Sequence, residues 1–159
     1  MRPMTLAKTG TAVLATAVVG GLASRPAQSA WFAKLRKPGF QPPRQVFPIV
    51  WPLLYADIAV VSAGAVDEMT EQGRRDEART YSALLALNLI LNASWSWLFF
   101  DRRMIGTSAV AAAALTASSA DLTRRAVGVS GAPAGALGLY PLWCAFATLL
   151  SSRIWWLNR

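Results

Sequence analysis

The sequence predicts an all-α integral membrane protein, one domain built as a bundle of five transmembrane helices. Three observations predict it. Apolar residues make up 54% of the 159 residues and the mean hydropathy is positive. Charged residues make up only 15%, against roughly 25% in an average soluble domain. Those charges fall between apolar runs that approach or reach the roughly 20 residues a spanning helix needs. The predicted helices cover about 5–24, 43–66, 80–100, 104–122 and 134–156, with a proline-rich basic loop over 25–42.

The same composition removes whole classes of chemistry. Histidine is absent and Cys144 is the single cysteine. Internal disulfides, His or Cys zinc sites, histidine-ligated haem, and Ser-His or Cys-His catalytic pairs are therefore excluded. A net charge of +8 does not point to nucleic acid here. The basic residues sit between apolar segments, where they anchor helices to lipid headgroups and set topology.

The chain opens with Arg2 and Lys8, an apolar run from Thr9 to Ser24, and the small-residue stretch Ala27 to Ala30. A secretory signal peptide has the same make-up, so a cleaved leader and a retained first helix are both open at this point. The stretch from Trp31 to Tyr55 is unlike its flanks: it holds five of the nine prolines, four basic residues and no acid. It reads as a structured cationic loop feeding an apolar helix that starts at Pro43, since proline suits the first helical position. Pro48 and Pro52 would then each remove a backbone bond inside that helix, from the carbonyls of Arg44 and Pro48.

The second apolar segment, Val46 to Val66, is interrupted only by Asp57, and the charged hairpin Asp67 to Arg79 after it is expected in water. The third, Thr80 to Phe100, is rich in Asn and aromatics. The fourth, Met104 to Ala120, is mostly Ala, Ser, Thr and Val, small residues that let helix backbones approach closely in lipid. The fifth, Ala134 to Ser152, ends in Arg153, Trp155, Trp156 and Arg159, a headgroup-level belt. With five spans, Arg25, Lys34, Arg36, Lys37, Arg44, Arg102, Arg103, Arg153 and Arg159 share one side, and seven other basic residues the opposite one. The positive-inside bias puts the first loop and C-terminus in the cytoplasm.

Helical spacing places Trp51, Tyr55, Ile58 and Ser62 on one face. Asn88, Asn92, Trp95 and Phe99 share a second face, and Trp143, Ala147, Ser151 and Ile154 a third. Three such stripes are able to line one aromatic cavity, with Asn88 or Asn92 bonding a ligand's polar edge. Ordinary packing and headgroup belts produce the same stripes.

At Trp31, Lys37-Pro38, Pro42-Pro43, Val46-Phe47-Pro48, Trp51 and Leu54-Tyr55 the chain resembles the tryptophan-rich sensory protein and translocator protein family (TspO/MBR, peripheral benzodiazepine receptor-like). The resemblance continues through Asn92, Trp95, Phe99 and Phe100, then Tyr140, Trp143, Ala147 and Leu157-Asn158. It implies five membrane helices with the first retained, Gly20 and Gly21 at a close helix contact, and often a homodimer. It also implies a receptor or carrier for protoporphyrin-type or haem-like tetrapyrroles, and for other aromatic ligands or sterols, in a pocket under the first loop. The ligand-binding set it implies is Phe40, Trp51, Tyr55, Asn88, Asn92, Trp95, Phe99, Trp143 and Ala147. The sequence departs from the family pattern at Leu150-Ser151, where a Leu-Asn pair is usual. It departs again at Tyr140-Pro141, where the order is reversed, and at Gly39, which leaves Phe40 as the loop's aromatic lid. No Tyr follows Tyr140, so the weak sterol pattern is missing near the C-terminus.

No cofactor, metal site or acid-base pair is expected, so any chemistry belongs to a bound chromophore. Binding is the favoured function. The alternatives are light-dependent oxidative porphyrin breakdown, with Trp51 and Trp143 as the redox-active groups, and a structural or regulatory membrane partner with no pocket. Tetrapyrrole, membrane lipid and a second copy of the chain are the expected partners, and nucleic acid is not. Asp57 stands apart. Ionised at mid-membrane it would cost about 2.5–3.5 kcal/mol, and it lies about 200° round the helix from Tyr55. It is expected to face away from the pocket and pair with Thr107, Ser108, Thr116, Ser118 or Ser119, or with a second subunit.

Overall fold

The computed structural model describes every residue from Met1 to Arg159, and it is helical with no strand. Five long helices form the bundle: α1 (Pro3–Ala23), α3 (Phe47–Glu71), α4 (Arg75–Ser96), α5 (Ile105–Ser130) and α6 (Leu139–Leu157). A short α2 (Ala30–Lys34) lies in the loop after α1. Four of the five are long and apolar enough to cross a membrane, in stretches covering Pro3–Gln28, Arg44–Glu71, Arg75–Asp101 and Ala132–Leu157. The fifth, α5, is long enough at 26 residues but is diluted by Ser and Thr.

The helices run further than the apolar runs, and in α3 the reason is a charged residue that has partners inside the bundle. Asp67, expected in water, is buried, and its carboxylate accepts from the Arg2 backbone N–H and from Thr5 Oγ1 at 2.6 Å. An acidic group at the start of α1 satisfies orphan donors and favours the helix dipole. The expected hairpin therefore shrinks to Gln72–Arg74, closed by Gly73 at φ 76°. In α5, which continues to Ser130 past its apolar part, Asp121 pairs at the surface with Arg124 and Arg125 at 2.6 Å along one helix face.

Proline acts differently from expectation. Helix α3 starts at Phe47, four residues after Pro43, so Pro48 sits in the first turn, where it removes no helical bond. Only Pro52 interrupts the ladder, at the carbonyl of Pro48.

Two contacts set the ends of the bundle. The start of α1 meets Asp67 near the end of α3. At the opposite end the Asn158 side chain holds Arg36, so the first loop and the C-terminus lie together. Gly106 at the start of α5 lies against Trp155 near the end of α6, and Thr123 bonds the Leu137 carbonyl just before α6 begins. Helix α5 is thus antiparallel to α6 over most of its length. Gly20 packs on Ser96, as expected of a close contact, while Gly21 has open space beside it.

Candidate functional site

Two layers of aromatic and polar side chains occupy the half of the bundle beneath the loop. The deeper one is a hydrogen-bonded chain. Tyr55 donates to Asn92 Oδ1 at 2.9 Å, Asn92 Nδ2 to the Tyr140 hydroxyl at 2.9 Å, and Tyr140 to Asn88 Oδ1 at 2.9 Å. Asn88 Nδ2 then donates to Ser118 at 3.1 Å and Ser119 at 3.0 Å. Asn88 and Asn92 are 0% and 2% exposed. Each amide has its oxygen and its nitrogen engaged, so this layer ties α3, α4, α5 and α6 together. Buried polar groups that close on one another in this way rigidify a core.

Trp51 stacks on Tyr55 at 5.4 Å between ring centroids and meets Trp143 edge-on at 6.4 Å. Trp143 reaches Phe146 at 5.4 Å, and Phe146 reaches Phe40 at 6.3 Å. Phe40, the expected lid, is 46% exposed and rests on the rim. Ala147 is half-buried on α6, one turn beyond Trp143.

The upper layer contains a cavity of about 40 Å³ lined by Phe32, Gln41, Phe47, Trp95, Phe99, Phe100, Leu150, Ser151 and Ile154. Of the nine sequence-predicted site residues, Trp95 and Phe99 reach it. Trp51, Tyr55, Asn88, Asn92 and Trp143 belong to the deeper layer, and Phe47, which lines the cavity and touches Trp143 at 5.8 Å, joins the two. A π-helical turn at Trp97–Asp101 ends α4. Its wider register brings Phe99 and Phe100 to 4.8 Å from each other, both against Phe32. Such turns are rare and often mark functional sites.

The roof is α2. Ser29 Oγ caps its start by accepting from the Phe32 N–H at 3.3 Å, and Lys37 Nζ closes its end on the Phe32 carbonyl at 2.6 Å. The same ammonium lies 4.5 Å from the centre of the Phe32 ring. Burial, then the nearby Arg44 charge, hold the Lys37 amine below its ordinary range. Phe32 is thereby pinned ring-down into the cavity wall, 9% exposed. Beyond α2 the loop is latched: Asn158 Oδ1 accepts from the Arg36 N–H and Nδ2 donates to the Arg36 carbonyl, both at 2.9 Å.

Sequence reasoning missed Phe32, Gln41 and Asn158 as a latch. Gln41 is the informative omission. Its Oε1 is buried at the cavity wall with no hydrogen-bond partner. The lone amide in a run of aromatics and prolines, Phe40-Gln41-Pro42-Pro43, was the available signal. An unpaired buried acceptor costs stability and calls for an explanation.

Asp57 lacks the expected partner within the chain. Ser108 and Thr116 turn their hydroxyls to the carbonyls of Ile105 and Ala112, Ser119 to that of Leu115, and Ser118 serves Asn88. Thr116 also meets Thr148 on α6, Thr107 is exposed, and no bond from α5 reaches the Asp57 carboxyl.

Comparison with known proteins places these layers in context. The sequence model of the TspO/MBR family matches residues 9–157. The chain is 36% identical over 131 residues to the translocator protein of Bos taurus, covering 81% of this chain and 75% of that one. It is 31% identical over 125 residues to the translocator protein of Homo sapiens, covering 79% and 73%. It is 27% identical over 133 residues to the tryptophan-rich protein TspO of Bacillus cereus, covering 84% of each.

Proposed function

Since the chain belongs to the TspO/MBR family, we propose that it is a membrane receptor or carrier for flat, largely apolar ligands of the tetrapyrrole type, held beneath the first loop. The observation that carries this reading is the Gln41 carboxamide oxygen, buried without a partner at the wall of an aromatic cavity. An unsatisfied buried acceptor costs stability, and a ligand's N–H or O–H at this wall would complete it. The aromatic walls supply the rest of the affinity, at about 25 cal/mol per Å² of apolar surface removed from water.

The cavity of about 40 Å³ holds a water molecule and little more, whereas ligand pockets run to roughly 300–1,000 Å³. Uptake therefore goes with lifting of the α2 roof and turning of Phe32, released at the Asn158 latch. In this reading α5 is a fifth membrane crossing. It runs antiparallel to α6, which itself is apolar enough to span, and its small residues Ser108, Ala109, Ala112 and Ser119 are buried against neighbouring helices. The first loop and C-terminus lie on the cytoplasmic side by their excess of basic residues. Assembly as a homodimer and contact with lipid belong to the same reading.

The catalytic alternative has one observation in its favour, the contact of Trp51 with both Tyr55 and Trp143 beside Phe47. That is a short aromatic path from the cavity wall into the core. Titrating the purified protein with protoporphyrin in the dark and then illuminating it separates the readings. Saturable binding without turnover is expected. Product formed faster than from free porphyrin would favour photo-oxidation, and no binding would leave a structural or regulatory role.

A further inference from the structure

Asp57 belongs to neither layer of the site. It lies ten residues from Phe47 and ten from Asp67, or about 15 Å along the helix from each, at the middle of the apolar part of α3. Ile49, Leu53 and Val60, at helical spacing on its side of α3, are all exposed large apolar residues. The half-buried Asp57 thus lies at the edge of an outward-facing hydrocarbon stripe. Its Oδ2 is buried with no hydrogen-bond partner, and no basic residue forms an ion pair with it.

The surrounding elements offer no compensating charge. Helix α1 carries no titratable residue between Lys8 and its end, and α5 none before Asp121. On α6 the titratable side chains at this depth are Tyr140 and Cys144, both buried in the core. On α4, Tyr81 is within electrostatic reach, with its hydroxyl 3.1 Å from Ser62. An unpaired carboxylate surrounded by hydrocarbon relieves its desolvation by taking a proton.

We propose that Asp57 is a proton-binding site on the outward face of α3, separate from the ligand cavity and carried as the neutral acid while that face meets lipid. The proton leaves when the face is wetted, so the group couples proton release to any rearrangement that admits water along α3. Intramembrane acids in other proteins serve such roles.

A hydrophobic carbodiimide tests this directly. The acid proton moves to one carbodiimide nitrogen as the carboxyl oxygen bonds to the central carbon. The acyl group then migrates from oxygen to nitrogen, leaving a stable N-acylurea that retains every reagent atom. A water-facing carboxyl near its ordinary pKa is about a thousandth protonated at pH 7 and reacts little. With the full chain in lipid nanodiscs at pH 7, dicyclohexylcarbodiimide is expected to add once to the peptide containing Asp57. Asp57→Asn is expected to remain unlabelled and to bind protoporphyrin as the parent does. At about pH 5, where water-facing carboxyls are partly protonated, a water-soluble carbodiimide with an amine nucleophile is expected to label Glu71, Asp76 and Glu77 and to spare Asp57. Failure of the hydrophobic reagent to label Asp57 in folded protein would overturn the proposal, as would labelling by the water-soluble reagent. Protoporphyrin binding in the parent is read separately, so failure of the ligand reading does not pass for failure of this one.

Discussion

The deep polar layer and the roofed cavity are neighbours built from the same residue types, yet their accounts close differently. In the deep layer Tyr55, Asn92, Tyr140, Asn88, Ser118 and Ser119 complete one another at 2.9–3.1 Å. In the cavity a single amide, Gln41, is left with a buried acceptor and nothing to accept from. The difference teaches where to look for recognition in a helical bundle. A buried amide on a helix finds neighbouring helices within reach and becomes structural, whereas an amide on a loop over aromatic rings has no fixed polar neighbour. The deep layer holds the helices together, and the cavity under the loop is where we propose that the ligand is held.

The largest effect should follow from opening the deep layer. Asn88→Leu deprives Tyr140 of its acceptor and two serines of their donor, so the protein should lose roughly 1–3 kcal/mol, read as a lower melting temperature in detergent. If Asn88→Leu melts with the parent but binds protoporphyrin poorly, the division between the layers is wrong. A smaller and more local loss is expected for Asn158→Ala, about 1 kcal/mol of loop docking with the core untouched. Hydrogen exchange checks it at one position: the Arg36 amide should lose protection while the amides of α4 keep theirs. Ligand association should quicken as well, because the roof is freed. Trp51→Phe should change stability least, by under about 1 kcal/mol, since an apolar ring of similar shape remains. Its mark should be altered quenching of bound porphyrin fluorescence, and unchanged quenching would place the ligand away from the Trp51–Trp143 contact.

Much of this was legible in the sequence, and unevenly. The helical bundle, the special character of the loop and the family followed from apolar runs, proline placement and long spaced motifs. Boundaries went wrong where a charge was bought into the interior by a distant partner, as with Asp67 beneath Arg2 and Thr5, because no local pattern records such a contact. Helical periodicity sets Trp95, Phe99, Ser151 and Ile154 on two stripes, and all four line the cavity. It also puts Asn88 and Asn92 on one of those stripes, without revealing that both are hydrogen-bonded to Tyr140. The short α2 leaves no periodic signal because five residues are too few, so nothing in the sequence marks Phe32 as buried beside Trp31, while Phe40, the expected lid, is exposed. Asn158 had been recognised only as a motif residue. Its bonds to Arg36 join positions 122 apart in sequence, beyond the range of any window.

The most direct test compares Gln41→Leu with the parent for melting temperature and protoporphyrin affinity in the same detergent. Removing a buried acceptor that has no partner relieves a desolvation penalty. Gln41→Leu should therefore melt at or above the parent temperature while binding protoporphyrin more weakly, the opposite pairing to that expected of Asn88→Leu. Gln41→Leu that binds protoporphyrin as tightly as the parent would contradict the assignment of the recognition contact to the loop.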